Sequence, residues 1–196
     1  MQRESTEVLP RLLDAIGFQR GILIGHSDGA TIAAWYGGSV QDHRVRALVL
    51  MAPHFFMEES NLDAIRKTVT AYETTDLRTR LARHHADVDT AFQGWSGAWL
   101  DPGFARFDTT EALAYIRVPV LVVQGAADPY GTLAQVRVVE EECTCPVETA
   151  VLEDVGHAPH RERPDETLAA VAAFAALPTG FSASTARRWK APLDLP

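Results

Sequence analysis

A serine lies at the centre of the sequence Gly25-His26-Ser27-Asp28-Gly29, between a short apolar run and a run of small residues. In that setting the pattern Gly-x-Ser-x-Gly is typical of a nucleophile on a tight strand-to-helix turn, where both glycines are expected to relieve crowding of the backbone. A hydroxyl near a helix start also has the next backbone N–H beside it to bind a developing oxyanion. The motif therefore predicts that Ser27 attacks a carbonyl group, with the Asp28 N–H as oxyanion donor. A glycine-rich structural turn is the alternative.

A histidine, His157, closes a Gly-His pair that follows the last apolar run of the chain, 147–152. A serine hydroxyl becomes nucleophilic at neutral pH only when a base accepts its proton, and histidine titrates in the right range. His157 is therefore a candidate for that base. His160, three residues later, is the second candidate, and a plain surface position is the alternative for either residue.

An imidazole that acts as a base needs a carboxylate to fix its tautomer and to stabilise its charge. Asp128 comes shortly after the apolar run 118–123, on a loop. Asp128 is therefore a candidate for this acid. Asp154 and Asp101 are rivals in less favourable positions, and a simple turn residue is the alternative for Asp128.

Short apolar runs that alternate with helical patterns must hold these three side chains. The alternation predicts an α/β fold with a mostly parallel sheet flanked by helices. Open parallel sheets bind ligands beyond the carboxyl ends of their strands, so the three loops are expected to meet in one crevice. The predicted strands are 21–24, 45–51, 118–123 and 147–152, and the predicted helices are 5–16, 30–36, 133–142 and one that begins near Pro164.

Apolar periodicity predicts which helix faces are buried. The predicted buried face of the first helix is Val8, Leu9, Leu12, Leu13 and Ile16, and that of the last helix is Leu168, Val171, Ala172, Phe174 and Ala175. The pair Gly37-Gly38 is expected to end the helix that follows the serine.

The stretch 55–115 interrupts the alternation of strands and helices. It is helical in pattern and rich in charged and aromatic residues, and its length of about 60 residues far exceeds a usual connection. We predict an inserted helical cap here, with Trp95 and Trp99 on one helix face; an ordinary long crossover is the alternative. Residues 1–54 and 116–180 would then form the α/β core, and 181–196 a poorly ordered tail.

The order of nucleophile, acid and histidine resembles the α/β-hydrolase fold superfamily over nearly the whole chain, up to about Leu177. The spacing of Gly125 and Asp128 is similar to that family's acid loop. In that family the acid follows the strand after the cap and the histidine follows the last strand, so the resemblance implies a triad of Ser27, His157 and Asp128. It also implies further strands before the nucleophile strand and a loop that donates a second oxyanion N–H. The chain is therefore expected to be N-terminally truncated: a fragment, a late-start gene model or a degenerate copy.

The capped layout resembles small-molecule carboxylesterases, enol-lactonases, carbon–carbon bond hydrolases and biphenyl hydrolase-like esterases. This implies a serine hydrolase that cleaves a small ester, lactone or related carbonyl compound through an acyl-enzyme, with no metal or organic cofactor. In the last group the acid after the nucleophile can hold a substrate amine, whereas the simpler interpretation of Asp28 is a local backbone bond. Further candidate substrate contacts are His26, His54, Phe55, Trp95, Trp99 and Phe104, of which the last three are cap core in the alternative.

Two other functions stay open on the sequence alone. One is a catalytically weak or inactive remnant with only a binding role. The other is acyl transfer to an acceptor other than water, including perhydrolysis without a cofactor. Haloalkane dehalogenation is disfavoured because it needs a carboxylate at the position of Ser27.

The 196 residues carry a net charge of −8, which gives no reason to expect a nucleic-acid partner. The basic run 187–190 is interpreted as a solvated tail. No apolar stretch reaches the roughly 18 residues of a membrane span and the start lacks a signal-peptide pattern, so we expect no membrane partner and a cytoplasmic location. Cys143 and Cys145 are interpreted as reduced loop cysteines. The oligomeric state, a homo-oligomer included, stays open.

Overall fold

The computed structural model describes residues 1–176, which form two compact units. Met1–Phe55 and the described residues from Thr109 onward make one unit, and Phe56–Asp108 makes the other. The predicted tail 181–196 and the basic run 187–190 lie outside the described residues. In chain order the helices are α1 (Leu9–Ala15), α2 (Asp28–Ser39), α3 (Glu59–Thr74), α4 (Leu77–Leu81), α5 (Val88–Leu100), α6 (Ala134–Glu142), α7 (Pro159–Glu162) and α8 (Pro164–Ala175). A π-helical turn, Glu4–Val8, precedes α1, and 3-10 turns cover Pro102–Arg106 and Thr110–Tyr115.

A parallel four-stranded sheet forms the centre of the first unit. Its strands lie in the order β1 (Gly21–His26), β2 (Val45–Met51), β3 (Val120–Gly125) and β4 (Val147–Leu152), and every neighbouring pair is parallel. Every residue of β3 is buried, as expected for a Val- and Leu-rich strand that is covered on both faces. The predicted α/β fold with a parallel sheet is confirmed.

The third strand begins later than the predicted 118–123 because of Pro119. Proline has no N–H to offer a sheet. Its carbonyl still accepts the Leu48 N–H at 2.9 Å, and regular pairing with both neighbouring strands starts at Val120. The shift brings the end of β3 to Gly125, close to Asp128.

Helix α2 continues through Gly37 and Gly38 to Ser39, so the prediction that these glycines end it was wrong. A Cβ on Gly38 would lie 2.1 Å from the Ala112 carbonyl oxygen, and one on Gly37 would lie 2.8 Å from Leu48 Cδ1. The glycines therefore allow close packing of α2 against its neighbours.

The predicted buried faces of the first and last helices were partly wrong. On the predicted face of the first helix only Leu13 is buried, while Val8, Leu12 and Ile16 are 50%, 52% and 65% exposed. In α8 the buried side chains are Thr167, Ala170 and Phe174, whereas Leu168 is 67% exposed and Ala172 and Ala175 are exposed. Helix α8 is apolar nearly all round because it is rich in alanine, so periodicity did not separate its faces.

A partly exposed ion-pair network joins the start of β2 to α1 and α2. Arg44 donates to both carboxylate oxygens of Asp42, at 3.0 Å from Nε to Oδ1 and 2.7 Å from Nη2 to Oδ2, and also to Asp14 at 2.7 Å. The Tyr36 hydroxyl donates to Asp42 Oδ2 at 2.5 Å. The Arg44 hydrogen bonds hold the pKa of Asp42 well below its ordinary value of 3.8, and burial raises the pKa of Tyr36 to about 12.

Asp42→Asn is expected to lower the melting temperature by about 3 to 10 °C at pH 7, because it replaces the charged carboxylate that accepts from Arg44 and Tyr36 with a neutral amide. The folded pKa of Asp42 is depressed, so its contribution is present above the ordinary value of 3.8 and is lost as pH falls through the folded pKa. The difference between wild type and variant should therefore shrink in thermal melts below pH 4. Asp63→Asn, in an exposed pair with Arg66, is the matched control; equal shifts in both variants would contradict the network's role.

The second unit consists of α3, α4, α5 and the first 3-10 turn, and it has its own aromatic core. The rings of Tyr72 and Phe92 stack with centroids 3.7 Å apart. Trp99 is buried and contacts Phe104 and Phe107 edge-on. A cavity of about 330 Å³ in this unit is lined by Thr68, Leu77, Leu81, His85, Val88, Ala91, Phe92 and Trp95. That this unit acts as a cap stays a prediction. Among residues 1–176, no helix combines the length and apolar character that crossing a bilayer requires.

Candidate active site

Ser27 occupies a strained turn between β1 and α2. Its backbone has φ 56° and ψ −125°, in the positive-φ region that residues other than glycine seldom adopt. A Cβ on Gly25 would lie 2.3 Å from the carbonyl oxygen of Gly29, whereas a Cβ on Gly29 would have no neighbour within 4 Å. Of the two glycines expected to relieve crowding, sterics therefore require only Gly25.

The side chain of Ser27 begins a continuous chain of hydrogen bonds. His157 Nε2 lies 2.9 Å from Ser27 Oγ, and His157 Nδ1 lies 2.9 and 3.0 Å from the two carboxylate oxygens of Asp128. An ionised carboxylate only accepts, so Nδ1 carries the proton and Nε2 is left to accept from the serine hydroxyl. This is the tautomer in which an imidazole can take the serine proton.

Asp128 is a fully buried acceptor with each oxygen hydrogen bonded. The Tyr130 backbone N–H donates to Oδ1 at 2.8 Å, and the Gln124 amide Nε2 donates to Oδ2 at 2.9 Å. Burial by itself raises the pKa of Asp128, but the hydrogen bond and charge of His157, followed by these two donors, hold the pKa below its ordinary value. The carboxylate is therefore ionised at neutral pH.

Comparison with known proteins identifies the family. Residues 3–171 match the family model described as the Alpha/beta hydrolase family. The chain belongs to the α/β-hydrolase family. No sequence among the curated proteins matches this hydrolase significantly.

Solved structures that resemble this α/β-hydrolase share its fold at low sequence identity. A hydrolase from Pseudomonas aeruginosa PA01 is 21% identical with a TM-score of 0.60, over 87% of this chain and 70% of its own. Naproxen esterase from Bacillus subtilis is 18% identical with a TM-score of 0.65, over 88% of this chain and 66% of its own. The meta-cleavage product hydrolase of Pseudomonas fluorescens IP01 is 17% identical with a TM-score of 0.63, over 83% and 68%. Identities this low show the fold alone.

The rival candidates for acid and base lie elsewhere in the hydrolase. The ring of His160, at the start of α7, contacts His26 with centroids 4.7 Å apart and has no hydrogen bond to Ser27 or Asp128 among the described contacts. Asp154 is exposed in the turn after β4 at φ 55°. Asp101 belongs to the second unit, where it accepts the Gly103 N–H.

Hydrogen bonds of its polar groups hold the loop after β2 in place. The Thr31 hydroxyl donates to the His54 carbonyl at 2.8 Å and accepts the His54 N–H at 3.1 Å. His54 Nε2 donates to the Tyr130 carbonyl at 3.1 Å, and Gln135 Oε1 accepts the Phe55 N–H at 2.7 Å. His54 and Phe55 are only 3% and 1% exposed. Through these hydrogen bonds the two residues hold the loops around Asp128 together.

The remaining predicted contacts divide between the two units. His26 and Asp28 flank Ser27 and are half-buried, and Asp28 is the first residue of α2. Trp95, Trp99 and Phe104 belong to the second unit, where Trp95 lines the cavity and Trp99 is buried. Their contact with substrate stays a prediction. Within residues 1–176 no three His, Cys, Asp or Glu side chains cluster as metal ligands, so the histidines around Ser27 do not form such a set.

Two residues of the site were not identified from the sequence. Gln124 holds Asp128, and Glu162 accepts backbone N–H groups on both sides of His157. Gln124 had a recognisable signal, because it is a polar residue near the end of an otherwise apolar buried strand. Glu162 had none, since it lies in a charged stretch typical of a helix surface.

Proposed function

We propose that this α/β-hydrolase cleaves a small-molecule carboxylic ester or lactone through an acyl-enzyme on Ser27. The observation that carries the proposal is the unbroken hydrogen-bonded chain from Ser27 Oγ through His157 to Asp128. A hydroxyl, an imidazole of the correct tautomer and a buried carboxylate in that order are the parts that acyl transfer needs.

In the first half of the reaction, Ser27 Oγ attacks the carbonyl carbon while its proton moves to His157 Nε2. The carbonyl oxygen takes up the negative charge, and the Asp28 N–H at the start of α2 stabilises it. The bond to the leaving alcohol then breaks, and the proton on His157 Nε2 passes to that oxygen. The products are the free alcohol, or the opened end of a lactone, and an ester on Ser27.

In the second half, water replaces the alcohol. His157 Nε2 takes a proton from the water as the water attacks the acyl-enzyme, and it returns the proton to Ser27 Oγ when the acid leaves. The Asp128 carboxylate stabilises the imidazolium in both halves. The half-buried side chain of Asp28 is a proposed substrate contact.

A second candidate is a binding role with little turnover. It is favoured by the position of β1, which is the edge strand of the described sheet and carries Ile24 at 54% exposed. An edge strand with an exposed apolar side chain is a surface on which another polypeptide can pair, which suits a binding role. Acylation of Ser27 without deacylation, or no acylation, distinguishes this candidate.

The test is to treat the 196-residue chain with a fluorophosphonate, which traps activated serines, and to follow release of p-nitrophenol from p-nitrophenyl acetate. We expect one phosphonate adduct per chain, found on Ser27 by mass spectrometry, together with steady turnover. Ser27→Ala should lose both, and Ser96→Ala, a helix serine of the second unit, should keep both. An adduct elsewhere, or equal hydrolysis by Ser27→Ala, would overturn the proposal.

A further inference from the structure

Side chains form hydrogen bonds to the backbone of the loop that carries His157, in addition to those that the His157 imidazole makes. The Gly156 N–H donates to Glu162 Oε2 at 2.7 Å and the Ala158 N–H donates to Oε1 at 3.0 Å. His26 Nε2 donates to the His157 carbonyl at 2.7 Å. The His157–Ala158 peptide group is therefore held at both its C=O and its N–H, the Val155–Gly156 peptide group is held at its N–H, and we call His26 and Glu162 the loop clamp.

His26 is suited to this contact because it is the last residue of β1 and the immediate neighbour of Ser27. A carbonyl oxygen only accepts, so His26 Nε2 carries a hydrogen. Burial, followed by smaller effects that include the charges of His157 and His160, lowers the pKa of His26 and keeps the ring neutral at neutral pH. One dipeptide thus supplies the proposed nucleophile and an anchor for the proposed base, which fixes the distance between the two elements.

Glu162 is suited to its part of the loop clamp because both its oxygens accept a backbone N–H. Those two hydrogen bonds lower the pKa of its carboxyl, so the side chain is ionised at neutral pH. The carboxylate spans the N–H groups that flank His157 in sequence. Rotation of either peptide would break one of these bonds, and this restrains the direction in which the imidazole leaves the backbone.

We propose that His26 and Glu162 are positioning residues, which hold His157 Nε2 within proton-transfer distance of Ser27 Oγ by clamping the loop backbone. This inference rests on the proposed function, because it assigns the reason for the 2.9 Å contact that acyl transfer uses. A misplacement of about 1 Å at such a contact costs on the order of 100-fold in rate. Neither residue needs to touch the substrate to have that effect.

The mutational test compares His26→Leu with His26→Gln, since the Gln amide Nε2 occupies the place of the imidazole Nε2 and also donates. We expect His26→Leu to lower kcat about 10- to 100-fold with KM changed less than about twofold, and His26→Gln to recover most of the loss. Glu162→Gln, which keeps one acceptor, should lower kcat by a smaller factor. Glu166→Gln, in an exposed pair with Arg163 on the next helix, is the matched control and should match wild type.

A readout independent of turnover separates this inference from the proposed function. The downfield proton resonance of His157 Nδ1, hydrogen bonded to Asp128, reports on the loop without any substrate. Loss or broadening of that signal in His26→Leu, with the melting temperature unchanged, supports the clamp even if wild type hydrolyses no ester. An unchanged signal, or active His26→Leu and Glu162→Gln variants with wild-type kcat, would show that the clamp does not position His157.

Discussion

Asp128→Asn is expected to lower kcat for ester hydrolysis by about 10⁴-fold without unfolding the protein. The buried carboxylate accepts from His157 Nδ1, the Tyr130 N–H and the Gln124 amide, so every neighbouring group is a donor. An asparagine brings an NH₂ group into this site, and an NH₂ that faces His157 favours the tautomer with the hydrogen on Nε2. That nitrogen could no longer accept the proton of Ser27.

The measurement is kcat and kcat/KM on p-nitrophenyl acetate across pH 5 to 9, with thermal melts of each variant. Because the folded pKa of Asp128 is already below its ordinary value, its protonation does not contribute to the wild-type profile near neutral pH. Asp154→Asn is the control: Asp154 is exposed at φ 55°, a conformation that asparagine tolerates, and this variant should behave as wild type. A loss of less than tenfold in Asp128→Asn would show that the carboxylate does not set the tautomer of His157.

The features of the site that could be predicted from the sequence depend either on adjacent residues or on the geometry of the parallel sheet. The Gly-x-Ser-x-Gly turn, and the bounds of β2 and β4, are encoded in adjacent residues whose types suit only a few backbone conformations. The meeting of Ser27, Asp128 and His157 follows from parallel strands, since all their carboxyl ends lie at one edge of the sheet. The choice of Asp128 and His157 over their rivals also used the chain order of the family that the sequence resembles.

The features that could not be predicted from the sequence depend on contacts between residues far apart in the chain. The His26 side chain bonds to a carbonyl 131 residues away, and no pattern around His26 specifies that partner. Glu162 acts through backbone N–H groups, which are present in every sequence and carry no signal. The same applies to Gly37 and Gly38, since only their close neighbours Leu48 and Ala112 explain why glycine is needed inside α2.

Gly25→Ala is expected to destabilise the turn and to abolish measurable hydrolysis, whereas Gly29→Ala should not lower stability. The Cβ at position 25 would lie 2.3 Å from the Gly29 carbonyl oxygen and 2.5 Å from the Ala30 nitrogen, and backbone atoms cannot move aside as a side chain can. We expect a loss of about 3 to 5 kcal/mol, or roughly 10 °C in melting temperature. A displaced Ser27 would also lose its contact with His157.

The comparison with position 29 makes this a test of the turn geometry, since both variants add one methyl group to the same motif. Gly29 lies in the first turn of α2 with open space around its Cβ position, and alanine favours a helix over glycine by about 0.5 to 1 kcal/mol. Thermal melts and fluorophosphonate labelling of the two variants measure the difference. If Gly25→Ala melted and labelled like Gly29→Ala, then the crowding at Gly25 would not be what holds Ser27 in its strained conformation, and the position of the hydroxyl would need another cause.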